Sequence, residues 1–209
     1  MSLKHTLLAP AVLAAAASAS QAQAATFDFY ENGGPLVSSN SNSLSFSAGG
    51  LGLTVTALSS SGSSAQVANR WDGLGVYTGG LDASDIGSSA FNNPGDTIIL
   101  TFNQAIQLSS LSFSSWDGSL LGDQAKLTWA NGLYQNLSNA STSGVTPTFT
   151  WTGLSSPSGT VLKIQATGSF SSFRLAGLTV SAVPESPAMA MMALGLAGLG
   201  VAARRRRQD

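Results

Sequence analysis

Two Trp-Asp-Gly tripeptides are the clearest candidates for binding chemistry in this sequence, and they begin 45 residues apart. An exposed indole ring can stack on the apolar face of a sugar ring while a neighbouring carboxylate bonds the sugar hydroxyls. The alternative is that these tryptophans are core residues and that the aspartates only form turns. The residues of the predicted carbohydrate site are Trp71, Asp72, Trp116 and Asp117, with Tyr77 and Asn92 as neighbours.

A second candidate site is the acidic segment Asp82-Ala83-Ser84-Asp85. Oxygen ligands that are clustered in one loop suit a calcium ion, so Asp82 and Asp85 are candidate metal ligands, with Asp72 or Asp96 nearby. The regular D-x-D-x-D-G pattern of a calcium loop is absent. The alternative is that these aspartates cap turns through their own side chains. Calcium is therefore the single candidate cofactor.

The composition removes most catalytic chemistry. Cysteine is absent and His5 is the single histidine, so the sequence offers neither a thiol nucleophile nor a histidine base beyond the N-terminus. Lys126 and Lys163 alternate with apolar residues, which favours solvent-facing side chains over a serine–lysine pair. A pair of aspartates in a glycosidase stays open. We expect a non-enzymatic protein, and the scattered bases indicate no nucleic-acid partner.

Residues 25–182 are predicted to form one all-β domain. Apolar and polar residues alternate repeatedly, as in Leu51–Thr56, and Thr97–Phe102 is a continuous β-rich run that suits a central strand. Asn131-Gly132 between two such segments is the strongest hairpin signal. With four bases against eight acids, the domain carries a net charge of -4. The pattern predicts a jelly-roll-like β-sandwich of about 8–10 strands.

The N-terminus is typical of an export leader. Lys4 and His5 precede an apolar stretch of Ala and Leu, and Gln21-Ala22-Gln23-Ala24 supplies the small residues of a cleavage site. We expect residues 1–24 to be a signal peptide, which would remove His5 from the mature protein.

The C-terminus has three parts, which are the motif 183–187, the apolar run 188–203 and four arginines. The apolar run predicts a transmembrane helix of about 24 Å, at about 1.5 Å per residue. Four consecutive arginines resist translocation and therefore predict a stop-transfer signal. The residues of this stop-transfer signal are Arg204, Arg205, Arg206 and Arg207.

This order of parts resembles the PEP-CTERM sorting signal of exopolysaccharide-producing Gram-negative bacteria. The resemblance rests on the motif Val183, Pro184, Glu185, on the Met-Ala-Gly-Leu-rich helix and on the terminal arginines, and it departs at Ser186, where a proline is usual. It implies an exosortase as the membrane-embedded processing partner and passage across the inner membrane with transient anchoring. It also implies delivery to the cell surface or extracellular matrix.

Taken together, we expect an exported, surface-sorted, non-enzymatic protein of an extracellular polysaccharide or biofilm matrix. A carbohydrate-binding module that uses Trp and Asp at strand ends is one alternative, and extracellular polysaccharide is then its partner. A calcium-assisted adhesin is the other.

Overall fold

A computed structural model describes residues 24–30, 39–80, 82–88, 95–117, 122–138, 145–154, 156–183 and Gly195. The part of the chain from Gln23 to Val183 forms one compact unit, and the regular secondary structure of its described residues consists of β-strands. The all-β prediction is therefore confirmed. The thirteen strands in the described residues are β1 Ala24–Asp28, β2 Ser39–Ser41, β3 Leu44–Ala48, β4 Leu51–Leu58, β5 Ser64–Arg70, β6 Gly73–Tyr77, β7 Ile86–Gly87, β8 Thr97–Asp117, β9 Gln124–Trp129, β10 Tyr134–Ser138, β11 Val145–Thr152, β12 Gly159–Ala166 and β13 Ser172–Ala182.

The long strand β8 organises the sheet. Its first part, Thr97–Phe102, lies between β4 and β12, so the predicted central strand is confirmed. Its later part pairs with β13 on one side and β11 on the other. Since β13, β6, β5 and β4 also follow one another by hydrogen bonding, the sheet returns to β8 and closes as a barrel.

This closed sheet differs from the expected sandwich of about 8–10 strands in both count and closure. The short strands β2 and β7 contain three and two residues, too few to show an alternation of their own. Strand β8 continues well beyond the predicted run Thr97–Phe102 and reaches a length of 21 residues. The hairpin predicted at Asn131-Gly132 is confirmed, because β9 and β10 pair around it and Gly132 has a φ of 81°.

The core fills the barrel by simple alternation. In β4 the side chains of Leu51, Leu53, Val55 and Ala57 are buried while their neighbours are not. Burying such side chains contributes about 1.5–3 kcal/mol for each large one. The interior therefore fixes which face of each strand is left for binding.

The two chain ends lie largely outside the described residues. Ala24, the last residue of the predicted signal peptide, begins β1, and residues 1–23 are not described. Val183 of the sorting motif donates its N–H to the Ala105 carbonyl at 2.9 Å. The rest of 183–209, apart from Gly195, is outside the described residues and includes Pro184, Glu185 and the four arginines. Among the described residues, none belongs to a helix with the length and hydropathy needed to cross a membrane.

Candidate functional site

The predicted carbohydrate site of Trp71, Asp72, Trp116 and Asp117 does not form as one exposed surface. Trp116 is 0% exposed and stacks on Phe113 with ring centroids 5.0 Å apart. Ser115 between them has a φ of 56°, which interrupts the alternation of β8 and turns Trp116 inward. The prediction that Trp116 lies on an exposed sugar-binding face is therefore wrong.

Trp71 differs from Trp116 because it lies in the turn between β5 and β6. Trp71 is 55% exposed, and its ring centroid lies 6.1 Å from that of Tyr30. Asn92, the predicted neighbour of the site, lies outside the described residues. Trp71 thus provides an exposed aromatic surface without Trp116 beside it.

Asp72 and Asp85 are held by one arginine. The Arg174 guanidinium, on β13, forms an ion pair with the Asp72 carboxylate and a second one with Asp85 Oδ1 at 2.7 Å. Arg174 also donates to the Ala83 carbonyl at 3.0 Å. This network ties the segment that precedes β7 to β13, and it uses Asp72 for structure rather than for ligand contact.

The loop at Ser84 and Asp85 lies directly over β6, and Gly75 permits this approach. A Cβ atom at residue 75 would overlap the Ser84 carbonyl, so only glycine fits there. Arg70 closes the same contact by donating to Ser84 Oγ at 2.8 Å. The loop therefore covers one end of the outer face of β5 and β6 and leaves the other end open.

Asp82 serves as a turn cap. Its Oδ2 accepts hydrogen bonds from the Thr78 N–H at 2.6 Å and the Thr78 hydroxyl at 2.7 Å, and its Oδ1 accepts from the Ser84 N–H at 3.0 Å. The described residues contain no group of three or more acidic, histidine or cysteine side chains arranged for a metal ion. The carboxylates of the candidate calcium segment thus already have protein partners, as the turn-forming alternative predicts.

An open groove of about 960 Å³ lies on the outer face of the sheet, and we call it the serine groove. Gln66 on β5 lies directly opposite Tyr77 on β6, so both side chains project from the same face. Asn42 follows β2, whose last pair with β5 is Ser41 with Val67, and this places Asn42 next to Gln66. An aromatic ring and two amides therefore form one row across the floor of the groove.

The wall of the serine groove is the turn between β4 and β5. Ser59 Oγ lies 2.9 Å from Ser61 Oγ, and Ser61 Oγ donates to Ser63 Oγ at 3.1 Å. The turn is anchored from outside, because the Ser60 N–H donates to Asp96 Oδ1 at 2.8 Å. None of the described residues that line the serine groove carries a charge. Its surface is thus uncharged and combines hydroxyls, amides and one tyrosine with the apolar groups of Ala57, Leu58 and Ala65.

A second concavity of about 560 Å³ adjoins this groove, and we call it the acidic pocket. Ser60, Thr78 and Gly79 line both, so the two are continuous. The acidic pocket contains the carboxylates of Asp82, Asp85 and Asp96. Phe170, with 68% of its side chain exposed, also lines it.

Two carboxyl groups near this end of the barrel have raised pKa values. Burial raises the pKa of Asp96 to about 6, the charge of Asp82 adds to the rise, and hydrogen bonds from the Ser60 and Gly87 backbone oppose it. Burial likewise raises the pKa of Asp123 to about 6, against hydrogen bonds from the backbone of Asp117 and Ser172. Both carboxyl groups therefore accept hydrogen bonds from neighbouring loops, and desolvation disfavours their ionised forms in the folded protein.

Sequence reasoning found only part of this site. It named Tyr77 as a neighbour but not Gln66 or Asn42, because these residues become adjacent only through the register of β2, β5 and β6. The hydroxyls of the serine-rich stretch 59–64 are the sequence signal that could have identified a groove wall.

Comparison with known proteins adds no assignment, since neither a known protein-family model nor a curated protein sequence matches the chain.

Proposed function

We propose that this chain is an exported, non-enzymatic protein of an extracellular polysaccharide matrix and that it binds polysaccharide in the serine groove. The observation that carries the proposal is the row of Asn42, Gln66 and Tyr77 on the floor of an open groove of about 960 Å³. Trp71, which is exposed beside Tyr30, offers a second aromatic surface for a long polymer.

The row combines the contacts that a sugar requires. A pyranose has an apolar face of C–H groups that packs on an aromatic ring, and its hydroxyls both donate and accept hydrogen bonds. Side-chain amides match the hydroxyls because each amide carries donors and acceptors. No hydrogen bond joins the side chains of Gln66 or Tyr77 to another described residue, so these groups are available to a ligand.

Export and sorting follow from the chain ends. The proposal assigns residues 1–24 to a signal peptide, Val183, Pro184 and Glu185 to recognition by an exosortase, and 188–203 with Arg204–Arg207 to transient retention in the inner membrane. Because β13 ends at Ala182, the motif begins directly after the folded domain. Processing there would release the barrel to the cell surface or matrix with its groove intact.

Polysaccharide retention by the purified full chain tests the binding. Tyr77→Ala should weaken retention by about tenfold, since it removes the stacking surface. Tyr134→Ala is the matched control, because Tyr134 is 62% exposed on β10 and does not line the groove. Equal retention by wild type and Tyr77→Ala would refute the serine groove as the binding site. Trp71→Ala then measures the contribution of the second aromatic surface.

Deleting residues 183–209 tests the sorting. The truncated protein should be exported but should fail to reach the matrix in normal amount. The Tyr77→Ala variant keeps the sorting signal and is the control, so it should be delivered to the matrix in normal amount. Normal delivery of the truncated protein would refute the sorting signal while leaving polysaccharide binding intact.

A further inference from the structure

We infer that the polysaccharide in the serine groove is an uncharged polymer, an inference that rests on the proposed polysaccharide binding. Among the described residues, the side chains that line the groove are hydroxyls, amides, one tyrosine ring and the apolar groups of Ala57, Leu58 and Ala65, and none of them is charged. Such a surface can satisfy sugar hydroxyls, but it offers no ion pair to a uronate, a phosphate or an ammonium group.

The basic side chains that an anionic polymer would need are engaged elsewhere. Arg174 is paired with Asp72 and Asp85, and Arg70 donates to Ser84 Oγ and to backbone carbonyls. Lys126 lies over the Tyr134 ring at 4.5 Å from its centroid, and Lys163 is on β12, away from the strands that form the groove. The described part of the chain therefore presents no basic residue to the ligand.

The acidic pocket acts against anionic polymers in a second way. A chain that leaves the serine groove past Ser60, Thr78 and Gly79 enters a concavity that contains three aspartates. Repulsion between these carboxylates and a uronate extends over about 8 Å at physiological salt. A polymer that carries a carboxylate on every sugar is thus disfavoured where the groove meets the acidic pocket.

The same carboxylates are not built to hold a cationic sugar. Asp82 already accepts three hydrogen bonds, and Asp85 bonds Arg174 and the Ser172 hydroxyl. An amino-sugar polymer would be attracted by the charge of these carboxylates and of the domain without a dedicated ion-pair site in the groove, and this attraction weakens as salt screens it. The salt dependence therefore separates recognition in the groove from attraction to the surface.

Affinity measurements with the full chain test the inference, using dextran, a mixed-linkage β-glucan and a galactomannan as uncharged probes, alginate as the anionic probe and chitosan as the cationic one. At least one uncharged polymer should bind with the same affinity at about 0.15 and about 0.5 M salt. Alginate should bind at least about tenfold more weakly than that polymer. Chitosan should dissociate at the higher salt concentration. Binding of alginate as tightly as the uncharged polymers, or of chitosan at high salt, would overturn the inference but leave polysaccharide binding standing. If no polymer binds, the proposed function itself fails.

A charge placed in the groove gives the matched comparison. Gln66→Lys adds a cation to the floor of the groove, whereas Gln135→Lys makes the same exchange on β10, outside it. Gln66→Lys should raise the affinity for alginate several-fold and lower the affinity for the uncharged polymer, and Gln135→Lys should change neither. An equal gain in both variants would show that alginate responds to net charge rather than to this groove.

Discussion

Replacement of Asp96 by asparagine should stabilise the protein at neutral pH and not at acid pH. The pKa of Asp96 is raised from 3.8 to about 6, chiefly by burial. The folded state therefore holds the Asp96 proton more tightly than the unfolded state does. The resulting stabilisation is complete below about pH 3.8 and is lost as the pH rises through about 6. Asparagine is neutral at every pH, so the variant avoids this loss.

The magnitude follows from the shift and the surroundings. A shift from 3.8 to about 6 corresponds to about 3 kcal/mol at about 1.4 kcal/mol per unit. Asp96 is only half-buried, so solvent screening reduces this to about 1.5 kcal/mol. The asparagine oxygen can keep the bond from the Ser60 N–H, but its NH2 group cannot accept from Gly87, which costs about 0.5 kcal/mol. The net gain at about pH 7.5 is about 1 kcal/mol, or about 2–4 °C in Tm.

Thermal unfolding at about pH 7.5 and about pH 4 measures this effect. The Asp96→Asn variant should melt above wild type at the higher pH and at or slightly below wild type at the lower pH. Asp28→Asn, at an exposed carboxylate on β1, is the control and should move the Tm by less than about 1 °C at either pH. A Tm gain of the same size at both pH values, or a loss at neutral pH, would refute the desolvation of Asp96 as the cause.

The remaining predictions concern other parts of the same framework. Arg174→Met should lower the free energy of unfolding by about 3–5 kcal/mol in denaturant titrations, because it removes the ion-pair partner of Asp72, whose side chain is only 7% exposed. Adding Asp72→Asn should recover part of this loss. If Arg174→Met alone were as stable as wild type, that result would contradict the structural role of the ion pairs. Trp116→Ala should cost about 3–5 kcal/mol by the same titrations, whereas Trp71→Ala should cost less than about 1 kcal/mol, since only Trp116 is in the core. Millimolar calcium should leave the Tm unchanged relative to a chelator, because Asp82 and Asp85 already have protein partners, and a calcium-dependent rise would restore the metal hypothesis.

The strand pattern was the most predictable part of this protein. Alternation in Leu51–Thr56 and the continuous run Thr97–Phe102 predict a half-buried and a central strand, and both are present as expected. Asn131-Gly132 predicts its hairpin because the turn needs a residue with positive φ, a requirement that acts within a few residues. Local signals of this kind do not depend on the rest of the fold.

The exposure of the two Trp-Asp-Gly tripeptides could not be predicted from local sequence. They are identical over three residues, yet Trp71 is 55% exposed and Trp116 is 0% exposed. Trp71 lies in a turn, whereas β8 continues through Trp116 and turns it inward after the positive φ of Ser115. The tripeptide itself carries no information about which side of the sheet it faces.

By itself, the sequence determined the β class, the lack of a histidine base in residues 25–182 and a domain charge of -4, because these depend on composition and on a period of two residues. Only the tertiary structure decided which side chains share a surface. Asn42, Gln66 and Tyr77 belong to three separate segments, and strand register alone brings them into one row. A shift of one residue in that register would send the Gln66 side chain to the opposite face, so the groove exists through pairing between distant segments.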